Sequence, residues 1–276
     1  MLIRKLDDKD ASICAALVRQ GGWNITEARW RLLLSVGDAF GLDLDNGELA
    51  GTVIFNRFDA LAVIAMMFVS EAHQRRGLGR KLLQQALQQG NDTVVYLFAS
   101  DMGRPLYEQV GFIATSVTSV RLAGRASLRR AASRDGLRIM TAADIDEICA
   151  LDEEAQGASR RRLLKSLFAS SDRALVVERG GGVVGFGLSS WPTDICQLGP
   201  IVARTEEDAR TLATELAADV SEPLCIDILS DQQTMLAWGQ AAGLAVVENV
   251  PLMTLAGARL PGRRGLIRAL AGRPFG

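Results

Sequence analysis

The chain has 276 residues, of which 48% are hydrophobic and 5% are aromatic, and its formal net charge is −1. At about 150 residues per domain this length predicts two domains, and the hydrophobic content is sufficient for two cores. The balanced charge argues against an electrostatically driven binder of nucleic acid or membranes. The scarcity of aromatic residues argues against a broad base-stacking surface.

Four cysteines and a single histidine restrict the chemistry further. No two cysteines have Cys-x-x-Cys spacing, and one histidine leaves few ligands for zinc, so we expect no metal site. A disulfide framework is unusual for a chain of this size, which predicts free thiols in a reducing compartment and hence a cytoplasmic protein. The N-terminus has no apolar signal core, and no apolar run reaches the length of a transmembrane helix.

The beginning of the chain predicts a strand, two helices and a hairpin, in that order. Leu2–Leu6 is typical of a short strand, and the helix Asp10–Arg19 follows it. Thr26 can cap a second helix with its side-chain oxygen. The dipeptide Asn46-Gly47 is a strong signal for a tight hairpin turn. The apolar segment Ala60–Ser70 then predicts a strand that is buried on both faces.

The same pattern of strands and helices continues to the end of the first half and is repeated in the second. A helix is predicted over Leu78–Gln89, a buried strand over Thr93–Ser100 and a short helix over Arg104–Val110 that ends at Gly111. We expect an α/β fold in which each half is a mixed sheet flanked by helices. The helices of the second half are predicted near Ala142–Ala155, Glu206–Ala218 and Gln232–Ala242.

Matching residues in the two halves recur at a nearly constant offset, which shrinks from 134 to 132 residues along the unit. We interpret this as a tandem duplication, and chance similarity between two α/β halves is the alternative. The matched pairs are Arg4 with Arg138, Gly51 with Gly185, Val69 with Val202, and Gly111 with Gly243.

These observations predict an N-terminal domain over residues 1–122 and a C-terminal domain over residues 137–256. The linker, residues 123–136, is rich in arginine and is either a solvated connection or a basic rim for an anionic ligand. The basic tail, residues 257–276, is interpreted as either a docked terminal helix or a frayed end.

The segment Gln74–Gly79 carries the most chemical information in the sequence. It leads from the buried strand into a helix, and its two glycines allow the backbone to turn tightly and to approach a ligand closely. Amide groups at a helix N-terminus favour phosphate, and nearby arginines add positive charge. The dinucleotide fingerprint is excluded because Leu82 stands where it requires a third glycine.

Together with Pro105–Phe112, this loop resembles the GNAT superfamily of acetyl-CoA-dependent N-acetyltransferases. Gln74–Gly79 matches the pyrophosphate loop [RQ]-x-x-G-x-[GA] of that family, and Pro105–Phe112 matches its P-L-Y-E-x-x-G-F segment. Gly22-Trp23-Asn24-x-Thr26 is similar to a bacterial branch with a second acetyltransferase-like domain at the C-terminus. The resemblance covers residues 1–122 by motif and residues 137–256 by the order of elements.

The resemblance implies two tandem GNAT domains, acetyl-CoA as co-substrate and direct transfer of an acetyl group to an amine in a ternary complex. Tyr107 would protonate the departing thiolate. The end of the buried strand would offer backbone groups to the pantetheine arm, one amide acting as an oxyanion hole, and the loop would hold the pyrophosphate. The cofactor-binding residues so implied are Met67, Phe68, Val69, Gln74, Arg75, Arg76, Gly77, Leu78, Gly79 and Arg80.

The sequence leaves the general base, the acceptor and the oligomeric state open. Glu71, Glu27, Asp101 and water are candidate bases, and His73 is more simply explained as an exposed loop residue. A small-molecule or peptide amine fits a neutral chain, nucleic acid and membranes do not, and a homodimer is left open. The alternative function is a CoA-binding regulatory or scaffolding protein without catalysis.

The second half lacks the phosphate-binding motif at the corresponding position. No glycine lies between Ala203 and the next helix, and three acids, Glu206, Glu207 and Asp208, stand where phosphates would bind. Acids at this position stabilise the helix N-terminus but repel a diphosphate. We therefore expect one acetyl-CoA per chain, with Trp191, Pro192 and Trp238 as candidate wall residues of an acceptor pocket.

Overall fold

A computed structural model describes residues 1–90, 92–130 and 133–276. Its internal contacts divide the chain into two compact units, which are not contiguous in sequence. Unit 1 comprises residues 1–115, 252–259 and 275, and unit 2 comprises residues 116–251, 260–274 and 276. The contiguous domains expected from the sequence differ from these units at their terminal strands. Two residues of the expected linker, Ala131 and Ala132, lie outside the described residues.

Unit 1 is a mixed sheet with helices, as the sequence predicts. Its strands follow the order β1-β2-β3-β4-β5-β12, and every neighbouring pair is antiparallel except β4 and β5, which are parallel. Its elements are β1 (Leu2–Lys5), α1 (Ala11–Arg19), α2 (Glu27–Val36), β2 (Asp38–Asp43), β3 (Leu49–Phe58), β4 (Leu61–Val69), α3 (Leu78–Leu87), β5 (Val94–Phe98), α4 (Arg104–Val110), the beginning of β6 (Phe112–Gly124) and the end of β12 (Ala245–Leu255).

The helices of unit 1 begin and end close to the residues predicted from the sequence, because local capping groups fix their ends. The Thr26 side chain accepts a hydrogen bond from the backbone N–H of Arg29 and so caps α2. Gly111 ends α4 in the left-handed conformation, with φ of 101°. The apolar face of α3, which includes Leu82 and Leu83, is buried against the sheet in one core with residues of β2, β3, β4 and β5.

Unit 2 has the same plan, with strands in the order β6-β11-β10-β9-β8-β7 and β13 paired with β10. The basic tail contains a strand, β13, rather than the terminal helix or frayed end considered from the sequence, and a 3₁₀ turn precedes it. The elements are β7 (Leu137–Ile139), α5 (Ile145–Gln156), α6 (Arg161–Ala169), β8 (Arg173–Arg179), β9 (Gly182–Ser190), β10 (Cys196–Ala203), α7 (Glu206–Ala217), β11 (Leu224–Leu229), α8 (Gln233–Ala241) and β13 (Ile267–Ala269).

An arginine clamp, repeated in both units, supports the tandem duplication. In unit 1 the Arg4 guanidinium donates two hydrogen bonds to Asp10, at 2.9 and 2.8 Å, and a third to Asp43. In unit 2, 134 residues later, Arg138 donates two hydrogen bonds to Asp144, at 2.8 and 2.6 Å, and a third to Glu178 at 3.0 Å.

Each clamp joins the first strand of its unit to the helix entry that follows it. Asp10 and Asp144 also accept hydrogen bonds from the backbone N–H groups of Asp7 and Thr141, which closes a capping box in each unit. Hydrogen bonds from Arg138, opposed by desolvation, lower the pKa of Asp144 to about 2. Chance similarity between two α/β halves does not explain a matched three-residue network.

We expect Arg138→Gln to lower the free energy of unfolding at pH 7 by about 2 kcal/mol, because Asp144 loses charge-assisted hydrogen bonds. The pKa of Asp144 is depressed on folding, so its contribution is present above about pH 4 and is lost as the pH falls towards 2. The difference between wild type and variant should therefore shrink below pH 4. Urea unfolding measures it, with exposed Arg162→Gln on α6 as the control; equal effects of the two substitutions would contradict the clamp.

Candidate active site

A β-bulge separates the ends of β4 and β5. These strands pair in parallel only from Leu61 to Val63, opposite residues 94–96. Further along, β4 contains one residue more than β3 between their pairings, and Met66 takes φ of +49° there. A bulge bends its strand away from the regular ladder. Among the described residues, the last six of β4 have no partner on the β5 side.

Thr52 on β3 stabilises this bulge. Its buried hydroxyl donates a 2.9 Å hydrogen bond to the backbone carbonyl of Met66. This residue was not expected from the sequence, in which it is one polar position within an apolar strand. The sequence indicates it only through a hydroxyl group in an apolar strand, since a buried hydroxyl needs a hydrogen-bond partner.

The three residues expected to face the pantetheine arm, Met67, Phe68 and Val69, form the end of β4. Met67 and Val69 are half-buried. The Phe68 ring is buried and makes an edge contact with Trp23 of the α1–α2 loop at 5.6 Å between centroids. The side chains of this strand end therefore alternate between two environments, and its backbone lines the opening between β4 and β5.

The segment Gln74–Gly79 connects this strand end to α3, as predicted. The Gln74 side chain folds back and donates a 2.9 Å hydrogen bond to the Val69 carbonyl. Arg75 and Gly77 have positive φ values of 58° and 74°, and Gly77 begins α3 without any side-chain cap. A helix start without a cap leaves its first N–H groups unpaired.

The backbone N–H groups of residues 75–80 are available to a ligand. None of them donates a hydrogen bond to another part of the chain that the structure describes. Arg75, Arg76 and Arg80 are exposed, and within the described ranges none of their guanidinium groups forms an ion pair. Unpaired amides and free cations at one helix N-terminus form an anion-binding arrangement.

Gly79 brings the loop, the end of β4 and the helix α4 together. A Cβ atom at this position would lie 3.2 Å from Leu106 Cδ2 and 3.4 Å from Met67 Cε. A side chain here would therefore push against both neighbours. The absence of a side chain allows close packing, which places the loop beside α4 and the residue that follows Leu106.

Tyr107 follows Leu106 on α4, and its side chain is buried, with 7% of its surface exposed. Its ring makes an edge contact with Phe112 at 6.0 Å between centroids. Burial raises its pKa to about 12, so the phenol is protonated throughout the neutral range. Its hydroxyl makes no hydrogen bond with the described residues, which leaves the proton free for a ligand.

The candidate bases lie in three different segments of unit 1. Glu27 pairs with Arg31 on α2, and Asp101 is an exposed residue after β5. Glu71 lies in the turn after β4, where the Nδ1 atom of His73 is 3.0 Å from the Ser70 hydroxyl. A cleft of about 300 Å³ opens beside this turn and is lined by Gln20, Glu48, Ser70, Glu71, Ala72 and His73.

The corresponding helix start in unit 2 is already capped. The Thr205 side chain accepts a hydrogen bond from the N–H of Asp208, and buried Asp208 accepts one from Arg179 at 2.7 Å. Of the expected wall residues, Trp238 is buried and donates from Nε1 to the Thr214 hydroxyl, so it belongs to the core of unit 2. Trp191 is 38% exposed.

Two kinds of feature are absent from the described residues. No helix in them is long and apolar enough to cross a membrane. Within the same ranges, no three residues of the types His, Cys, Asp and Glu are grouped as a metal site would require. All four cysteines are free and buried.

Known proteins resemble this chain in sequence and in fold. Two families described as acetyltransferase (GNAT) domains match, one over residues 38–114 and the other over residues 148–269. The uncharacterized N-acetyltransferase YitH of Bacillus subtilis is 29% identical over 236 residues, which are 84% of this chain and 83% of that protein. Holothin acyltransferase of Pseudoalteromonas sp. is 29% identical over 61% of this chain and 58% of that protein.

Solved structures share the fold over the whole chain. A crystal structure described as that of a proposed acetyltransferase of Pyrococcus horikoshii covers 100% of this chain and 95% of its own, with a TM-score of 0.84 and 20% identity. A tandem GNAT protein from the clavulanic acid biosynthesis pathway covers 94% and 99%, with a TM-score of 0.66 and 13% identity. The chain belongs to the GNAT superfamily of acyltransferases and carries two GNAT domains in tandem.

Proposed function

We propose that unit 1 binds acetyl-CoA and transfers its acetyl group directly to an amine in a ternary complex. The observation that carries this proposal is the run of unpaired N–H groups from Arg75 to Arg80, at a helix start that also presents three unpaired arginines. We assign cofactor binding to the N-terminal domain expected over residues 1–122. The buried free thiols fit a cytoplasmic enzyme.

The energetics favour the loop amides as the principal contact with the pyrophosphate. Each hydrogen bond to a charged oxygen contributes about 1.5–3 kcal/mol, whereas the helix dipole contributes about 0.3–1 kcal/mol. Several amides therefore outweigh the dipole, and the conformation that Gly77 and Gly79 permit is the decisive property. The residues proposed to bind the cofactor are Met67, Phe68 and Val69 for the pantetheine arm and Gln74, Arg75, Arg76, Gly77, Leu78, Gly79 and Arg80 for the phosphates.

Tyr107 is proposed as the proton donor. The amine nitrogen attacks the thioester carbonyl carbon, the carbon–sulfur bond breaks, and its electron pair goes to sulfur. Tyr107 gives its proton to the thiolate and is reprotonated by the proton that the amine releases. A phenol with a pKa of about 12 is protonated at neutral pH, and the thiol it forms has a pKa near 8.5.

A CoA-binding protein without catalysis is the alternative. It would need the loop but not an unpaired phenol, so the Tyr107 hydroxyl, which has no partner among the described residues, favours the enzyme. The acceptor is proposed only as a small-molecule or peptide amine. The name of the relative holothin acyltransferase is a reason to include holothin among the acceptors tested.

The direct test is release of CoA from acetyl-CoA with a panel of amines, including amino acids, polyamines and peptide N-termini. We expect amine-dependent release, and we expect Gly77→Ala to raise KM for acetyl-CoA about tenfold, because alanine is strained at φ of 74° and distorts the loop. Gly47→Ala is the matched control, since its φ is 82° and its Cβ also meets open space. CoA binding without any amine-dependent release would favour the alternative.

Tyr107→Phe should lower kcat by about 100-fold or less while KM for acetyl-CoA changes little, because only the proton is removed. The wild-type rate should show no loss from tyrosine ionisation up to about pH 10, since the pKa of Tyr107 is raised to about 12. The other tyrosine of the chain, Tyr96 on β5, provides the control variant Tyr96→Phe. If Tyr107→Phe turned over like wild type across pH 6–9, the proton-donor assignment would be wrong.

Thr52→Val should raise KM for acetyl-CoA about fivefold. The loss of one hydrogen bond, worth about 1 kcal/mol, loosens the bulge and with it the opening between β4 and β5. The control is Thr254→Val in the same sheet, where the buried hydroxyl has no partner among the described residues and its removal should be neutral. Steady-state kinetics distinguish the two variants, and identical KM values would contradict the proposed role of Thr52.

A further inference from the structure

Unit 2 contains the same parting of two parallel strands that unit 1 has. Here β10 pairs with β11 only from Cys196 to Leu198, and its register with β9 then shifts. Gly199, with φ of +134°, stands at this bulge. It lies 133 residues after Met66, the offset that also relates Val69 to Val202. The two openings are therefore equivalent positions of a duplicated fold.

The opening in unit 2 is filled by the chain itself. Residues 263–271, here called the C-terminal segment, contain β13, which pairs antiparallel with β10 through Ile201 opposite Ala269 and Val202 opposite Ile267. The backbone N–H of Leu270 donates a 2.9 Å hydrogen bond to the Asp227 carbonyl of β11. The segment therefore makes backbone hydrogen bonds to both of the strands that part here. An extended peptide binds an exposed sheet edge in the same way.

The C-terminal segment packs closely in the opening between β10 and β11. Ile267, Ala269, Leu270 and Ala271 are each at most 1% exposed. A Cβ atom on Gly199 would lie 2.1 Å from the Leu270 carbonyl oxygen, so the bulge glycine makes room for the segment. Two arginines of the basic tail also hold this part of the chain through their side chains. Arg268 donates to the Gln232 side chain at 2.9 Å, and Arg273 pairs with Asp227.

Within the described residues, the helix that follows β10 has no phosphate-binding N-terminus. The N-terminus of α7 is capped by Thr205, and the acids Glu206, Glu207 and Asp208 occupy its first turn. The side chains of the opening are mostly apolar, and its polar ones, Asp227 and Gln232, pair with Arg273 and Arg268, so the opening suits an extended peptide with apolar residues and not a nucleotide.

We propose that the opening between β10 and β11 is a binding site for an extended apolar peptide, and that its resident ligand is the C-terminal segment of the chain. Occupancy by this segment leaves unit 1 as the one cofactor site, a consequence that rests on the proposed function. The peptide site itself does not rest on it.

The test uses the full chain with a sequence-specific protease site inserted between Arg259 and Leu260, at the boundary of the two units. After cleavage, the cut piece should co-elute with the rest of the protein and should exchange with a labelled synthetic peptide of residues 260–276. The same peptide carrying Leu270→Asp should compete roughly 100-fold less well, because a buried aspartate at this position has no partner. A large excess of acetyl-CoA should displace nothing, and calorimetry should show one acetyl-CoA per chain.

Three results would overturn the proposal: a cut piece that leaves and is not replaced by the synthetic peptide, displacement by acetyl-CoA, or two acetyl-CoA sites per chain. If cleavage unfolds the protein, the intact chain decides. Leu270→Asp should expose Arg268 to trypsin, whereas Gly265→Ala, whose Cβ meets open space, should leave it protected; protection in both variants would refute the site. Peptide exchange needs no acetyl transfer, so failure of the proposed function would be visible separately.

Discussion

The hydrogen bond from Thr52 to the Met66 carbonyl holds the bulge of β4 beside the place where the sheet of unit 1 opens. The ladder between β4 and β5 ends at Val63, and the bulge follows three residues later, so the strand end beyond Val63 faces the opening. The bulge makes the strand end available, and Gln74 fixes the following loop to it through the Val69 carbonyl. The proposed pantetheine site and the proposed phosphate site are therefore joined directly, through the strand end that the Thr52 bond supports and the Gln74 bond that follows it.

The same constraint explains how two units that share a fold differ in their openings. Backbone groups that a bulge frees from a ladder are costly when they are buried without partners. Unit 1 leaves them at an opening that a ligand can enter. Unit 2 satisfies them with its own backbone, through β13 and the N–H of Leu270. Unit 2 thus combines a capped helix start with an internal strand, where unit 1 has an uncapped helix start and an open strand end.

The sequence predicts the features that local chemistry decides. Gly77 and Gly111 begin and end their helices in left-handed conformations, and Thr26 caps α2. Features that depend on distant pairing could not be read from it. The course of β12, whose last residues pair with β5 of unit 1, needs partners about 155 residues away, and an alternating strand pattern does not name its neighbour. The bulge at Met66 has no signal either, because methionine does not favour positive φ.

The N-termini of α3 and α7 show how few residues separate a binding site from a structural helix. Both helices follow a bulged strand and pack on the sheet of their unit, yet α3 begins with glycine and three unpaired arginines, whereas α7 begins with a threonine cap and three acids. A capping side chain uses the same N–H groups that a phosphate would need. The Thr205 cap and the acids of the first turn therefore favour helix stability at α7, whereas the uncapped start of α3 leaves its N–H groups available to an anion.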